Sequence, residues 1–265
     1  MMSKSPLRYP GGKTRACKKL ETLLVDEGLI NEDVKKIMSP FIGGGSFEFY
    51  LQSKYGYSII ANDKFELLTN FWYNVKNNNK ELCDGLIQYL GTITKDKFLQ
   101  YRKDILLLDN SLEKAIIYFI INRCSFSGAT FSGGFSKESS KKRFTQSSID
   151  RISKLDLSNF KIYNLDFIEF LDKYYSNNKE TLIFLDPPYY LGNKSNLYGD
   201  KGSLHKDFNH KELYEYISKK KGWIITYNNC NYIKELYKDF KIVETSWSYS
   251  MNKSKKSSEI VIICK

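Results

Sequence analysis

Four consecutive bulky apolar residues, Leu182 to Leu185, rise out of a polar stretch and stop at Asp186-Pro187-Pro188-Tyr189. A run of this length and bulk predicts a central strand buried on both faces. Other, less uniformly apolar segments at 36–41, 58–62, 161–163, 223–227, 241–244 and 259–264 predict further strands. Between several of them the apolar spacing lengthens from every second residue to about every 3.6, the helical period. Ala16, Cys17, Leu20, Leu23 and Leu24 share one helical face, and Ile168, Leu171 and Tyr175 share another. Helices are also predicted over 47–55, 66–74 and 209–220, so strands and helices alternate as in an α/β protein with a mostly parallel sheet.

From Phe65 to about Phe160 the alternation lapses. The pattern there predicts a helix near 81–90 and another over 111–123, opened by Asn110 and Glu113 as a capping box. Ser125 to Ser136 mixes small hydroxyl residues with phenylalanines and is expected to be a flexible recognition loop. The division expected is therefore a sheet domain of residues 1–64 and 161–265 with an inserted region over 65–160. A second polar stretch, Leu191 to Phe208, is expected to be mobile.

Composition narrows the classes. With 265 residues and 42% hydrophobic content the chain can bury a full core as one domain with an insertion. It shows neither a membrane-spanning apolar run nor a signal-peptide core in Met1 to Pro10, so an intracellular, cytoplasmic location with no membrane partner is expected. Five scattered cysteines and two histidines suggest neither a disulfide framework nor a metal site. Basic residues outnumber acidic ones 41 to 30, a net charge of +11. Lys137, Lys141, Lys142, Arg143, Arg151 and Lys154 cluster where Phe131, Phe135 and Phe144 interleave, and basic plus aromatic favours nucleic acid.

Three motifs carry candidate chemistry. In Arg8-Tyr9-Pro10-Gly11-Gly12-Lys13 a glycine pair opens a helix and Lys13 adds positive charge at its mouth, where an anionic group would be welcome. Phe41 to Ser46 is a glycine turn between strand and helix, and Asp63 ends the next strand 20 residues past Gly43. That pairing suits an adenosine-containing cofactor, with Gly43 and Gly45 admitting it against the backbone and Asp63 on its ribose, although Asp63 could equally cap the following helix. At the end of the central strand, Asp186 and the Pro187 carbonyl are two acceptors on a rigid turn and Tyr189 is an aromatic face. A planar heterocycle with an exocyclic amino group fits them. Asp166 and Phe167, at another strand end, can bond a purine amino group and pack its ring.

Taken in order, these motifs, with Asn122-Arg123, Phe126 and Gly128, resemble the Dam-type DNA adenine methyltransferases. The resemblance implies an S-adenosylmethionine-dependent methyltransferase fold: a mostly parallel seven-stranded sheet with one antiparallel strand and an inserted, mainly helical target-recognition domain. It implies cofactor contacts from Tyr9, Lys13, Phe41, Gly43, Gly45, Asp63, Asp166, Phe167 and Asp186. Catalysis falls to Asp186, Pro187 and Tyr189. The substrate implied is a short site in double-stranded DNA whose adenine is extruded and methylated on its amino group, met by Arg8, Arg123, Ser127, Phe131, Lys141, Lys142 and Arg143. A cognate restriction endonuclease acting on the same site, without a stable complex, is a possible partner. Ser127 stands where the family often has Asn, and Phe131 where GATC-reading members carry Arg. An Arg reads guanine bidentately and Phe cannot, so the GATC target is not carried over. A cytosine-amino methyltransferase would need the same two acceptors, and a DNA-binding protein without catalysis is the other alternative.

Overall fold

The computed structural model describes residues 4–190, 208–248 and 256–265. Seven strands form one sheet: β1 (Lys36–Ser39), β2 (Ser58–Asn62), β3 (Phe160–Tyr163), β4 (Thr181–Leu185), β5 (Trp223–Asn228), β6 (Lys241–Ser248) and β7 (Lys256–Cys264). Their order is β3-β2-β1-β4-β5-β7-β6, and β7 alone runs antiparallel to both its neighbours. This is the expected fold class. The order reverses between β1 and β4, the switch point at whose carboxyl ends open α/β sheets bind ligands. β1 stops at Ser39, two residues earlier than its apolar pattern, because Pro40 has no N–H to continue the ladder.

Successive strand residues divide between two cores. Ile37, Leu182, Phe184 and Ile224 face one side, while Met38, Ile183, Leu185 and Ile225 face the other. On the first side pack α1 (Cys17–Asp26), α2 (Ser46–Tyr55) and α3 (Glu66–Asn77); on the second pack α9 (Phe167–Tyr174), α10 (His210–Ile217) and α11 (Asn231–Leu236). The inserted region adds α4 (Asn79–Ile87), α5 (Lys95–Asp104), α6 (Ser111–Cys124), α7 (Lys137–Lys142) and α8 (Gln146–Ser153). Its apolar residues continue the first core: Phe71 stacks on Phe119 at 5.6 Å, and Trp72 meets Phe49 at 5.3 Å and donates to the Gly43 carbonyl at 3.0 Å. The insertion and the sheet therefore share one apolar interior at α3.

The insertion is more helical and more fixed than its sequence suggests. Its serines and threonines act as helix caps: Thr94 accepts from Lys97 N, Ser136 from Ser139 N, and Thr145 and Ser148 form a capping box on α8. At α6 the Asn110 side chain accepts from the Leu112 and Glu113 N–H groups, the Asn110 half of the expected capping box. The segment expected to be a flexible loop, 125–136, is pinned. Phe126 N bonds Gly134 O at 2.8 Å, Ser136 N bonds Cys124 O at 2.9 Å, and the Arg102 guanidinium donates to the Phe131 and Gly133 carbonyls. The expected mobility of 191–207 concerns residues outside those described. Among the described residues no helix is long and apolar enough to cross a membrane, and no group of three or more His, Cys, Asp or Glu could hold a metal.

Candidate active site

One cleft lies over the carboxyl ends of β1, β2 and β4. It is lined by all eleven residues proposed from the sequence for cofactor and catalysis: Tyr9, Lys13, Phe41, Gly43, Gly45, Asp63, Asp166, Phe167, Asp186, Pro187 and Tyr189. The topology accounts for this convergence, since each follows a strand end or flanks the glycine pair that precedes α1.

At the inner end, Lys13 is 3% exposed and its Nζ lies 2.6 Å from both Asp186 oxygens and 5.0 Å from the Tyr189 ring centroid. Thr226, on β5, donates to Asp186 Oδ1 at 2.6 Å. The charge of Lys13, expected to await an anionic ligand, is thus matched within the chain. Asp186 retains spare acceptor capacity, because a carboxylate offers about four lone-pair sites and these contacts use three. Thr226 was missed by the sequence reading; it is a small residue inside an apolar strand, and only the β4–β5 pairing places it beside Asp186.

The glycine turn also has a packing role within the chain. Gly43 has φ of +49°, and a Cβ there would lie 2.8 Å from the Tyr9 ring; at Gly44 it would lie 2.9 Å from Tyr9 Cβ. The bare backbone admits Tyr9 as part of the cleft wall. Asp63 Oδ2 accepts from Gly43 N and Oδ1 from Phe65 N, both at 3.0 Å, so it ties the turn to the start of α3. Burial pushes its carboxyl up to about 6 against the pull of those N–H groups. At the outer end Phe41, Phe167 and Phe208 form an aromatic corner with centroids 5.6–5.9 Å apart. Phe208 was taken as part of the polar stretch and missed. Asp166 caps α9 through Ile168 N at 3.0 Å and pairs with Lys64 at 2.9 Å.

A basic groove opens beside the cleft and shares Tyr9, Gly11, Gly12 and Ser46 with it. Arg8, Arg123, Ser127, Lys142 and Arg143 line it, together with Lys4 and Arg151. Arg151 had been noted only as part of a charge cluster. Two guanidiniums are held by neutral acceptors. Arg8 donates to Ser125 O and Ser139 Oγ at 3.0 Å, and Arg123 to Arg143 O at 2.7 Å and Pro6 O at 3.1 Å. Burial, and then Arg151, Arg8 and Arg143 nearby, pushes Arg123 down to about 9.

Three of the expected DNA contacts, Arg123, Phe131 and Lys141, differ in their surroundings. Arg123 is 6% exposed and spans Pro6 and Arg143 as a brace. Phe131, 8% exposed, packs edge-on against Phe65 at 5.8 Å and is a core residue. Its neighbour Phe126, which had only marked the motif, is 68% exposed on a 3-10 turn, Phe126–Gly128. Lys141 is exposed on α7 but does not line the groove. Ser127 sits at φ 54°, a left-handed conformation, and at Gly128 a Cβ would lie 2.6 Å from Arg8 O. The motif is therefore partly a packing device: it lets the turn approach Arg8, whose N and O are bonded by Asn122 at 2.9 and 2.8 Å.

Comparison with known proteins agrees with this geometry. The chain is 29% identical over 267 residues to the type II methyltransferase M.MjaIII of Methanocaldococcus jannaschii, covering 89% of this chain and 88% of that protein. Residues 9–251 match the D12 class N6 adenine-specific DNA methyltransferases. With the sheet order, the Asp186-Pro187-Pro188-Tyr189 turn at the switch point and this match over nearly the whole chain, the protein belongs to the D12 class N6 adenine-specific DNA methyltransferase family, and it is an adenine-specific DNA methyltransferase.

Proposed function

We propose that the chain transfers the methyl group of S-adenosylmethionine to the N6 amino group of an adenine extruded from a short site in double-stranded DNA. The observation that carries this reading is Asp186, held by Lys13 and Thr226 at the carboxyl end of β4 in the cleft that also contains Asp63, Asp166 and the aromatic corner. The cleft fits the cofactor. Aromatic faces and the Asp166 carboxylate suit its adenine, Asp63 suits its ribose, and the charged inner end suits its amino acid part. The bound cofactor would supply an electrophilic methyl group.

The chain's own residues then position the amino group. Asp186 accepts one N–H with its remaining lone pair, the Pro187 carbonyl accepts the other, and the Tyr189 ring carries the purine. Fixing both hydrogens aims the nitrogen lone pair and favours positive charge as it develops there, so positioning and electrostatics supply the catalysis. Extruding the base costs a few kcal/mol, which stacking on Tyr189 offsets.

DNA phosphates lie along the basic groove, with Arg8, Lys142, Arg143 and Arg151 as contacts, and residues 65–160 act as the recognition region. Exposed Phe126 is a wedge for the stack that the extruded base leaves. The type II name of the relative supports a role beside a restriction endonuclease of the same site, without a stable complex. Methyl transfer from labelled S-adenosylmethionine to genomic duplex, mapped by modification-sensitive sequencing, tests the reading. N6-methyladenine at one recurring short sequence is expected, and cofactor binding without transfer to any duplex overturns it.

A further inference from the structure

The cleft contains a buried carboxylate that the positioning of the amino group does not use. Glu48, in the first turn of α2, is 2% exposed, lines the cleft, and accepts from Ser39 Oγ at 2.6 Å. The ionisable groups acting on it are Lys13 and the Cys17 thiol from the start of α1 and Asp186 from the end of β4; β1 presents the neutral Ser39 hydroxyl. Lys13 is already matched by Asp186, so ionised Glu48 leaves this end of the cleft with one uncompensated negative charge. Burial accordingly pushes the carboxyl up to about 7, with Asp186 adding to the rise while Ser39 and Lys13 oppose it.

A ligand with one net positive charge supplies the missing compensation. S-adenosylmethionine carries a sulfonium, an ammonium and a carboxylate, a net of one positive charge. The product, S-adenosylhomocysteine, has a neutral thioether and no net charge. We propose that Glu48 is a specificity-determining carboxylate of the cofactor cleft: it supplies the countercharge for the sulfonium cofactor and so separates substrate from its neutral product. This rests on the cleft being the S-adenosylmethionine site.

Entry of the sulfonium compound favours the ionised carboxylate, so near neutral pH its binding releases a proton from Glu48 to solvent. Its affinity rises with pH through that range more steeply than the product's. The test is calorimetric titration of the intact chain with each compound, from about pH 6 to about 7.5, in buffers of different ionisation enthalpy. Wild type is expected to release a larger fraction of a proton with S-adenosylmethionine than with S-adenosylhomocysteine, because Asp63, on the ribose that both carry, contributes alike to the two. In Glu48→Gln that excess disappears and the preference for S-adenosylmethionine falls about tenfold, the factor that one pKa unit represents. Ser39→Ala removes the hydrogen bond that favours ionised Glu48 and moves the pH midpoint upward. Equal proton release with both compounds in wild type overturns the proposal, whether or not the variants fold, and so does an unchanged preference in Glu48→Gln. If neither compound binds the wild-type chain, the cofactor reading itself fails and takes this inference with it.

Discussion

The cleft and the groove meet at Gly11 and Gly12 but manage charge in opposite ways. In the cleft, Lys13 is matched at 2.6 Å by Asp186, and Asp63 and Glu48 are satisfied by N–H and O–H donors of the same chain. In the groove, Arg8 and Arg123 donate to carbonyls and a hydroxyl, and Arg123 has the cations Arg151, Arg8 and Arg143 around it. A site whose lysine is paired within the chain and whose buried carboxylates have their own donors suits a small ligand of low net charge. A site whose cations depress one another stays strained until a polyanion arrives.

The sharpest break in this contrast is Asp186→Ala. It removes the proposed acceptor of the amino group, and methyl transfer should fall by at least about 100-fold in single-turnover assays. It also strands buried Lys13, so the unfolding free energy should drop by roughly 3–5 kcal/mol in denaturant titration. Wild-type turnover in this variant sinks the assignment of Asp186.

Next in size is a pair of phenylalanines five positions apart. Phe131→Ala should cost about 3–5 kcal/mol of stability and leave the salt dependence of DNA binding unchanged, because the ring belongs to the core. Phe126→Ala should leave the melting temperature unchanged and reduce methylation, because its ring is exposed. A reversal of the two would place the DNA on the other side of the turn.

Asp63→Ala should weaken cofactor binding by about 1.5–3 kcal/mol in calorimetric titration, since it loses a charged acceptor and unties Gly43 from Phe65. The smallest change is in the groove. Arg151→Ala should bind every duplex more weakly and lower the slope of log affinity against log salt by about one unit, with little effect on the rate at saturating DNA. An unchanged slope in filter binding would remove Arg151 from the phosphate path.

These contrasts also show why parts of the site were legible in the sequence. Central strands such as 182–185 and the turn after them announce themselves, because burial on both faces demands an uninterrupted apolar run and proline ends it. Thr226 and Glu48 do not, since their importance depends on which strands pair and which way a helix turns its first residues. In the insertion, α5, α7 and α8 were missed because their serines and threonines read as loop composition while serving as caps. Phe131 misled for a related reason: an aromatic beside lysines looks like a stacking residue until Phe65 is placed against it.

The Asn122 side chain bonds both the N–H and the carbonyl of Arg8, 114 positions earlier in the chain. That one amide clamps the segment beside the cleft to the helix that leads into the 126–128 turn. For engineering, residues 65–160 are consequently a poor cassette: a transplant from another methyltransferase would leave Arg8 without its backbone partners unless its sixth helix also delivered an asparagine there. A chimera that also carries the donor's first nine residues keeps the clamp intact, so new sequence specificity should be transplanted as two segments rather than one.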